Sequence, residues 1–160
     1  MRVTIIADAS HCPDTGAAGY GYWIACSRGK LGGDGPIMTT SATSTVAEMR
    51  ALANALHRAI VERLVQHGDA VLLQTDCEAA IKAFDGTRGR LIKEEHEAKE
   101  YLNNLKGRFN LSFEFRHVKG HSKIKEARYA ANNTCDKRAR QAMRKARGQL
   151  QINRIKEIVK

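Results

Sequence analysis

Four acids, Asp8, Glu48, Asp76 and Asp136, stand where the chain changes from one kind of pattern to another. Asp8 ends the run VTIIAD and Asp76 ends AVLLQTD, while Glu48 opens a long apolar-periodic stretch and Asp136 lies early in the last one. Ends of adjacent parallel strands open into one crevice, where ligands bind in open α/β sheets. Carboxylates drawn together there repel unless cations lie between them, and hard oxygen donors in this number suit Mg²⁺ or Mn²⁺. Each acid also has an ordinary reading. Thr45 and Glu48 form T-x-x-E, a capping box in which the Glu reaches back to the Thr amide. Asp136 has Arg140 four residues on, the spacing of a surface ion pair worth about 0.3–0.5 kcal/mol. Asp8 and Asp76 also suit turns that close their strands. Taken singly, each acid is more often structural; the four in this order carry the metal reading.

The elements that must position these acids follow from periodicity. Val3, Ile5 and Ile6 form a β-branched run into a polar loop, and GAAGYGYWIACS sets Tyr20, Tyr22 and Ile24 against Gly21 and Trp23. After the KLGGDG turn region, PIMTTSA reads as a third extended piece, giving an antiparallel meander. From Thr45, apolar residues recur at three and four (Val46, Met49, Ala53, Leu56, Ile60, Leu64) until His67 and Gly68, an amphipathic helix of about 20 residues. AVLLQTD is a strand covered on both faces, and following a helix it pairs in parallel by a right-handed crossover. A short helix over 77–84 ends near Gly86, and a more exposed helix carries Leu91, Ile92, His96, Leu102 and Leu105. LSFEFRHV alternates as a half-buried strand, and a polar loop leads to a last helix over about 132–147. The order β β β α β α α β α defines a mixed α/β sheet flanked by helices.

At 160 residues and 42% hydrophobic, the chain suits one core, and no stretch approaches the roughly 18 apolar residues of a membrane span. MRVTIIADAS has neither a long apolar run nor a small-residue cleavage site, so a cytoplasmic protein is expected. Cys12, Cys26, Cys77 and Cys135 are scattered, with no CxxC pair, and read as reduced thiols. Residues 1–80 hold 6 Lys+Arg against 8 Asp+Glu, whereas residues 81–160 hold 21 against 9. Such a lopsided basic half suits a polyanion, because each cation that neutralises a phosphate releases a counterion.

The pieces IIADAS followed by GYGYW, then TSTVAEMRALANAL, LLQTDCEAAI, FRHVKGHS and NNTCDKRARQA, cover residues 3 to about 142. In their order and spacing they resemble the type 1 ribonuclease H family. The resemblance implies a five-stranded mixed sheet with its first three strands antiparallel, in agreement with the element order above. It implies that Asp8, Glu48, Asp76 and Asp136 are the family's metal-binding carboxylates and that His121 is the mobile histidine of its catalytic loop. It further implies two Mg²⁺ or Mn²⁺ ions and hydrolysis of the RNA strand of an RNA–DNA hybrid, leaving 5′-phosphate and 3′-hydroxyl ends. His117 precedes His121 by four residues, but a strand-to-loop HxxxH does not present both rings to one zinc ion.

A hybrid-cutting enzyme must detect 2′-hydroxyls in the wide minor groove with short polar groups. Where the family usually carries an Asn pair before the catalytic helix, this chain has Thr43, Ser44 and Thr45, and Ser44 and Thr45 are the expected contacts. His11 and Cys12, after Asp8, are expected to offer backbone contacts; Ala9 replaces the usual Gly and Glu78 a usual amide. The family's Lys- and Trp-rich protrusion is missing, and the base is moved to Lys137, Arg138, Arg140, Arg144, Lys145 and Arg147. Lys137, Arg140 and Arg144 share a helix face that can track phosphates, with Lys119, Lys123 and Lys125 flanking His121. The departures leave two alternatives: a nuclease of this fold that cuts DNA, and a basic binding domain that does not cut. A monomer is expected, with a catalytic domain over 1–147 and an amphipathic tail or extra helix over 148–160, striped by Leu150, Ile152, Ile155 and Val159.

Overall fold

The computed structural model describes residues 1–119 and 127–159. Strands β1 (Arg2–His11), β2 (Ala18–Cys26), β3 (Gly29–Pro36), β4 (Ala70–Thr75) and β5 (Ser112–His117) alternate with helices α1 (Ser44–Val61), α2 (Glu78–Asp85), α3 (Lys93–Arg108) and α4 (Ala127–Val159). They form one five-stranded sheet in the order β3-β2-β1-β4-β5. The first three strands are antiparallel and β4 and β5 run parallel to β1, as the element order requires.

The two faces of the sheet are packed differently. Val3, Ile5, Val71 and Leu73 face Met49, Leu52 and Leu56 of α1, with Ala80 of α2 and Leu102 of α3 behind them. Burying each large aliphatic side chain here contributes roughly 1.5–3 kcal/mol. On the other face α4 presents small buried residues, Cys135, Ala139 and Ala142, to the glycines of β2.

The third strand is not the expected one. PIMTTSA leaves the sheet after Pro36, with Met38 89% exposed, and the glycine-rich GKLGGDGP pairs with β2 instead. Rings on β2 explain why glycine is tolerated. Tyr20, Tyr22 and Trp23 pair directly with Gly35, Gly33 and Gly32, and a Cβ at Gly33 would lie 2.6 Å from the Tyr22 hydroxyl oxygen. The aromatic side chains fill the space that missing side chains leave, so composition alone misreads the segment as a turn.

Helix α1 is capped by Thr43, whose side chain accepts from the Val46 amide at 3.2 Å. The expected capping box at Thr45 is therefore not formed. The helix also stops at Val61, but the amides of Leu64 and Val65 bond back to the Ala59 carbonyl at 2.9 and 3.0 Å. Leu64 thus stays in the core and prolongs the apolar period past the helix end. In α3 the inward residues include Glu95, paired with Arg88 at 3.2 Å, whereas Ile92 and His96 are exposed rather than core-facing. Gly86 at φ +83° ends α2 where expected. Helix α4 runs unbroken through 147 and 148, and residues 151–159 are all exposed, so the expected break before the tail is absent. Among the described residues, no helix is long and apolar enough to cross a membrane.

Candidate active site

Asp8 sits near the end of β1 and Asp76 directly follows β4; the two strands are adjacent and parallel, with Ile6 opposite Gln74. Both acids therefore emerge at one end of the sheet. Because α1 starts at Ser44, Glu48 falls on its second turn and faces the strand instead of its own cap. The Ala9 amide donates to both Asp8 Oδ1 (3.0 Å) and Glu48 Oε2 (3.2 Å), tying strand to helix. Asp8, Glu48 and Asp76 each place a carboxylate oxygen so that all three lie within 4.8 Å of one another.

This grouping is electrostatically costly. Asp8 is 2% exposed, and among the described residues its Oδ2 has no hydrogen-bond partner. Burial, then the charge of Asp76, pushes its carboxyl up to about 8. Burial likewise holds Glu48 well above the usual carboxylate range, with Asp8 and Asp76 adding to it. Partly desolvated carboxylates crowded this closely are what a hard dication relieves, so the residues fit Mg²⁺ or Mn²⁺.

Asp136 reaches the site because α4 lies almost on the backbone of β2. A Cβ at Gly21 would fall 2.2 Å from the Cys135 carbonyl oxygen, and one at Gly19 2.3 Å from the Met143 amide nitrogen. Gly21 is the register partner of Asp8, so this close approach brings the third turn of α4 beside the acid cluster. The Cys135 thiol, 3.7 Å from the Ile6 carbonyl, donates to it, and burial pushes that thiol up to about 12. Asp136 is near enough to Asp8 to help raise its pKa, but its own carboxylate pairs with Arg140 at 3.0 Å and it stands outside the group of three. The ion pair anticipated from the i,i+4 spacing thus exists alongside the proximity to Asp8.

Other expected residues take varied positions. Ser44 is exposed at the first position of α1 and Thr45 half-buried beside it. His11 Nε2 lies 2.8 Å from the Ser41 carbonyl. Cys12 is buried, and its amide and carbonyl are both engaged within the loop, with Ala17 and Gly16 at 2.8 Å. Lys119, Lys137 and Arg144 are exposed. His121, Lys123 and Lys125 lie outside the described residues.

Sequence reasoning overlooked the brace on the segment before α1. Arg50 donates to the Thr40 carbonyl and Ser41 Oγ, both at 2.9 Å, and Glu94 Oε2 accepts from the Ala42 amide at 3.0 Å. An Arg two residues after Glu48 was the available signal. It also overlooked Asn132, one turn before Asp136, which is 1% exposed with neither amide atom partnered among the described residues.

A mixed sheet of this order, flanked by helices, defines an RNase H-type fold. The RNase H family model matches residues 1–144, and the chain belongs to that family. RNase H1 from the halophilic archaeon Halobacterium salinarum NRC-1 shares 22% identity over 91% of this chain and 100% of its own, with a TM-score of 0.70. LC11-RNase H1, solved in complex with an RNA/DNA hybrid and isolated from compost by a metagenomic approach, shares 22% identity over 90% of this chain and 98% of its own (TM-score 0.67). The N-terminal RNase H domain of rv2228c from Mycobacterium tuberculosis shares 20% over 93% and 98% (TM-score 0.64). At these identities the likeness is one of fold. No curated protein matches the sequence.

Proposed function

We propose that this protein is a divalent-cation-dependent endonuclease that hydrolyses the RNA strand of RNA–DNA hybrids, leaving 5′-phosphate and 3′-hydroxyl ends. The observation that carries the reading is the group of buried Asp8 with half-buried Glu48 and Asp76, whose carboxylates meet within 4.8 Å at one end of the sheet. Asp8, Glu48, Asp76 and Asp136 would hold two Mg²⁺ or Mn²⁺ ions. Such a pair, when bound, lowers the pKa of an attacking water and stabilises the leaving 3′ oxygen.

The protein's own contribution is positioning. The Ala9 amide fixes one oxygen each of Asp8 and Glu48, which leaves Asp8 Oδ2 turned to the site. A histidine side chain ordinarily titrates near 6.5, so His121 would suit moving a proton or assisting product release. The braced segment before α1 would hold Ser44 and Thr45 against 2′-hydroxyls, while Lys119, Lys123, Lys137, Arg140 and Arg144 would meet phosphates and His11 would line the approach; Cys12, buried with its amide and carbonyl engaged in the loop, is not free to make the expected backbone contact.

The test compares one labelled sequence as RNA–DNA hybrid, double-stranded RNA, double-stranded DNA and single strands, each with Mg²⁺, Mn²⁺ or EDTA. Hybrid-selective, EDTA-sensitive cutting of the RNA strand is expected. Cutting of DNA would make it a DNA nuclease of the same fold, and salt-sensitive binding without cutting would make it a binding domain.

A further inference from the structure

Asp136 is held differently from Asp8 and Glu48. Asp8, Glu48 and Asp76 form the close group, and no cationic side chain pairs with Asp8 or Glu48 among the described residues. Asp136, next to Asp8, instead has Oδ2 3.0 Å from Arg140 Nη2. The two ends of this pair have unequal freedom: the Asp136 side chain is 19% exposed, whereas that of Arg140 is 51% exposed. Arg140 can therefore turn into solvent without stranding a buried charge, while Asp136, on a helix fitted against Gly19 and Gly21, stays where it is.

We propose that Arg140 is a positioning residue, a built-in counter-cation that holds Asp136 in the cation-free protein and yields the carboxylate when a divalent cation binds beside Asp8. The inference rests on the metal reading of the site. Its physical basis is competition. A further carboxylate beside Asp8 would add repulsion, and the guanidinium offsets it without entering the group. The same guanidinium then opposes any cation that requires Asp136, so it weakens cation binding by the strength of the pair. Lys137, exposed on the same turn, carries equal charge but has no such pairing among the described residues, and it serves as the control.

The experiment is calorimetric titration of the whole chain with Mn²⁺ in the absence of nucleic acid, with thermal unfolding to confirm that each variant is folded. Arg140→Gln is expected to bind Mn²⁺ about threefold more tightly in the Asp136-dependent step, the size of a part-exposed ion pair. Arg140→Lys should return most of the way to the original affinity. In an Asp136→Asn background the Arg140→Gln change should have no further effect, and Lys137→Gln should shift affinity by less than half as much. An unchanged titration in Arg140→Gln overturns the proposal, as does an effect that survives in Asp136→Asn or is matched by Lys137→Gln. A chain that shows the expected pattern yet leaves the hybrid uncut would sink the cleavage reading and leave the role of Arg140 standing. Hybrid cleavage alongside an insensitive titration would do the reverse.

Discussion

Two buried aspartates lie at opposite ends of the same pair of parallel strands, and their surroundings push them in opposite directions. Asp69, 3% exposed, precedes β4 and is gripped by Arg28, with Nη2 to Oδ1 at 3.1 Å, and by the Gln66 amide at 2.8 Å. The Arg28 hydrogen bond foremost holds its carboxyl down at about 2. Asp8, at the far end and equally buried, has other acids for neighbours and sits at about 8. One end of the sheet spends its buried charge on holding the fold together. The other crowds its acids together at the cost of raised carboxyl pKa values, the mark of a site built for a ligand.

The contrast is broken or sharpened by substitution. Asp8→Asn should remove Mg²⁺-dependent cleavage by a factor of about 1,000 or more, since a metal-held transition state is worth several kcal/mol. Retained cleavage in a hybrid assay would end the four-carboxylate reading. Asp69→Asn should leave cleavage intact at low temperature but lower the urea unfolding midpoint, because the Arg28 guanidinium and the Gln66 amide lose a charged acceptor. Its pH signature follows from the depressed pKa. The contribution is fully present above the unfolded value near 3.9 and is lost as pH falls through about 2, so wild-type and Asp69→Asn unfolding midpoints should converge in acid.

Gly21→Ala should cost about 2 kcal/mol by forcing α4 off β2. It should also weaken Mn²⁺ binding, which titration would read, because Asp136 moves with the helix. In EDTA, Asp8→Asn should stabilise the protein by about 1 kcal/mol at pH 8. The raised pKa makes the charged acid unfavourable in the folded state above pH 4, so this gain should shrink as pH falls toward 4. Thr43→Ala should cost about 1 kcal/mol and Thr45→Ala much less, which denaturant midpoints would separate, since only Thr43 caps α1.

The strand end at Asp76, the core stripe of α1 and the Gly86 stop were legible because each is a local pattern: apolar alternation, a 3.6-residue period, a residue suited to φ > 0; the end of β1 was not, since the strand runs past Asp8 to His11 by pairing its polar residues with β2. The placement of β3 was not, because the rings that make GKLGGDGP a strand belong to β2 and become its neighbours only on pairing. The split between the two readings of Glu48 was likewise tertiary, decided by where Thr43 starts the helix and by the Ala9 amide.

By itself, the sequence determined the element order, the mixed sheet, the four candidate acids and the basic half, since periodicity, residue type and charge are properties of the chain. Only the tertiary structure decided that three of those acids form one close group while the fourth is paired with Arg140, and that one aspartate is held near 2 and another near 8. Distance and desolvation set these outcomes, and both depend on residues far apart in the chain meeting across the sheet.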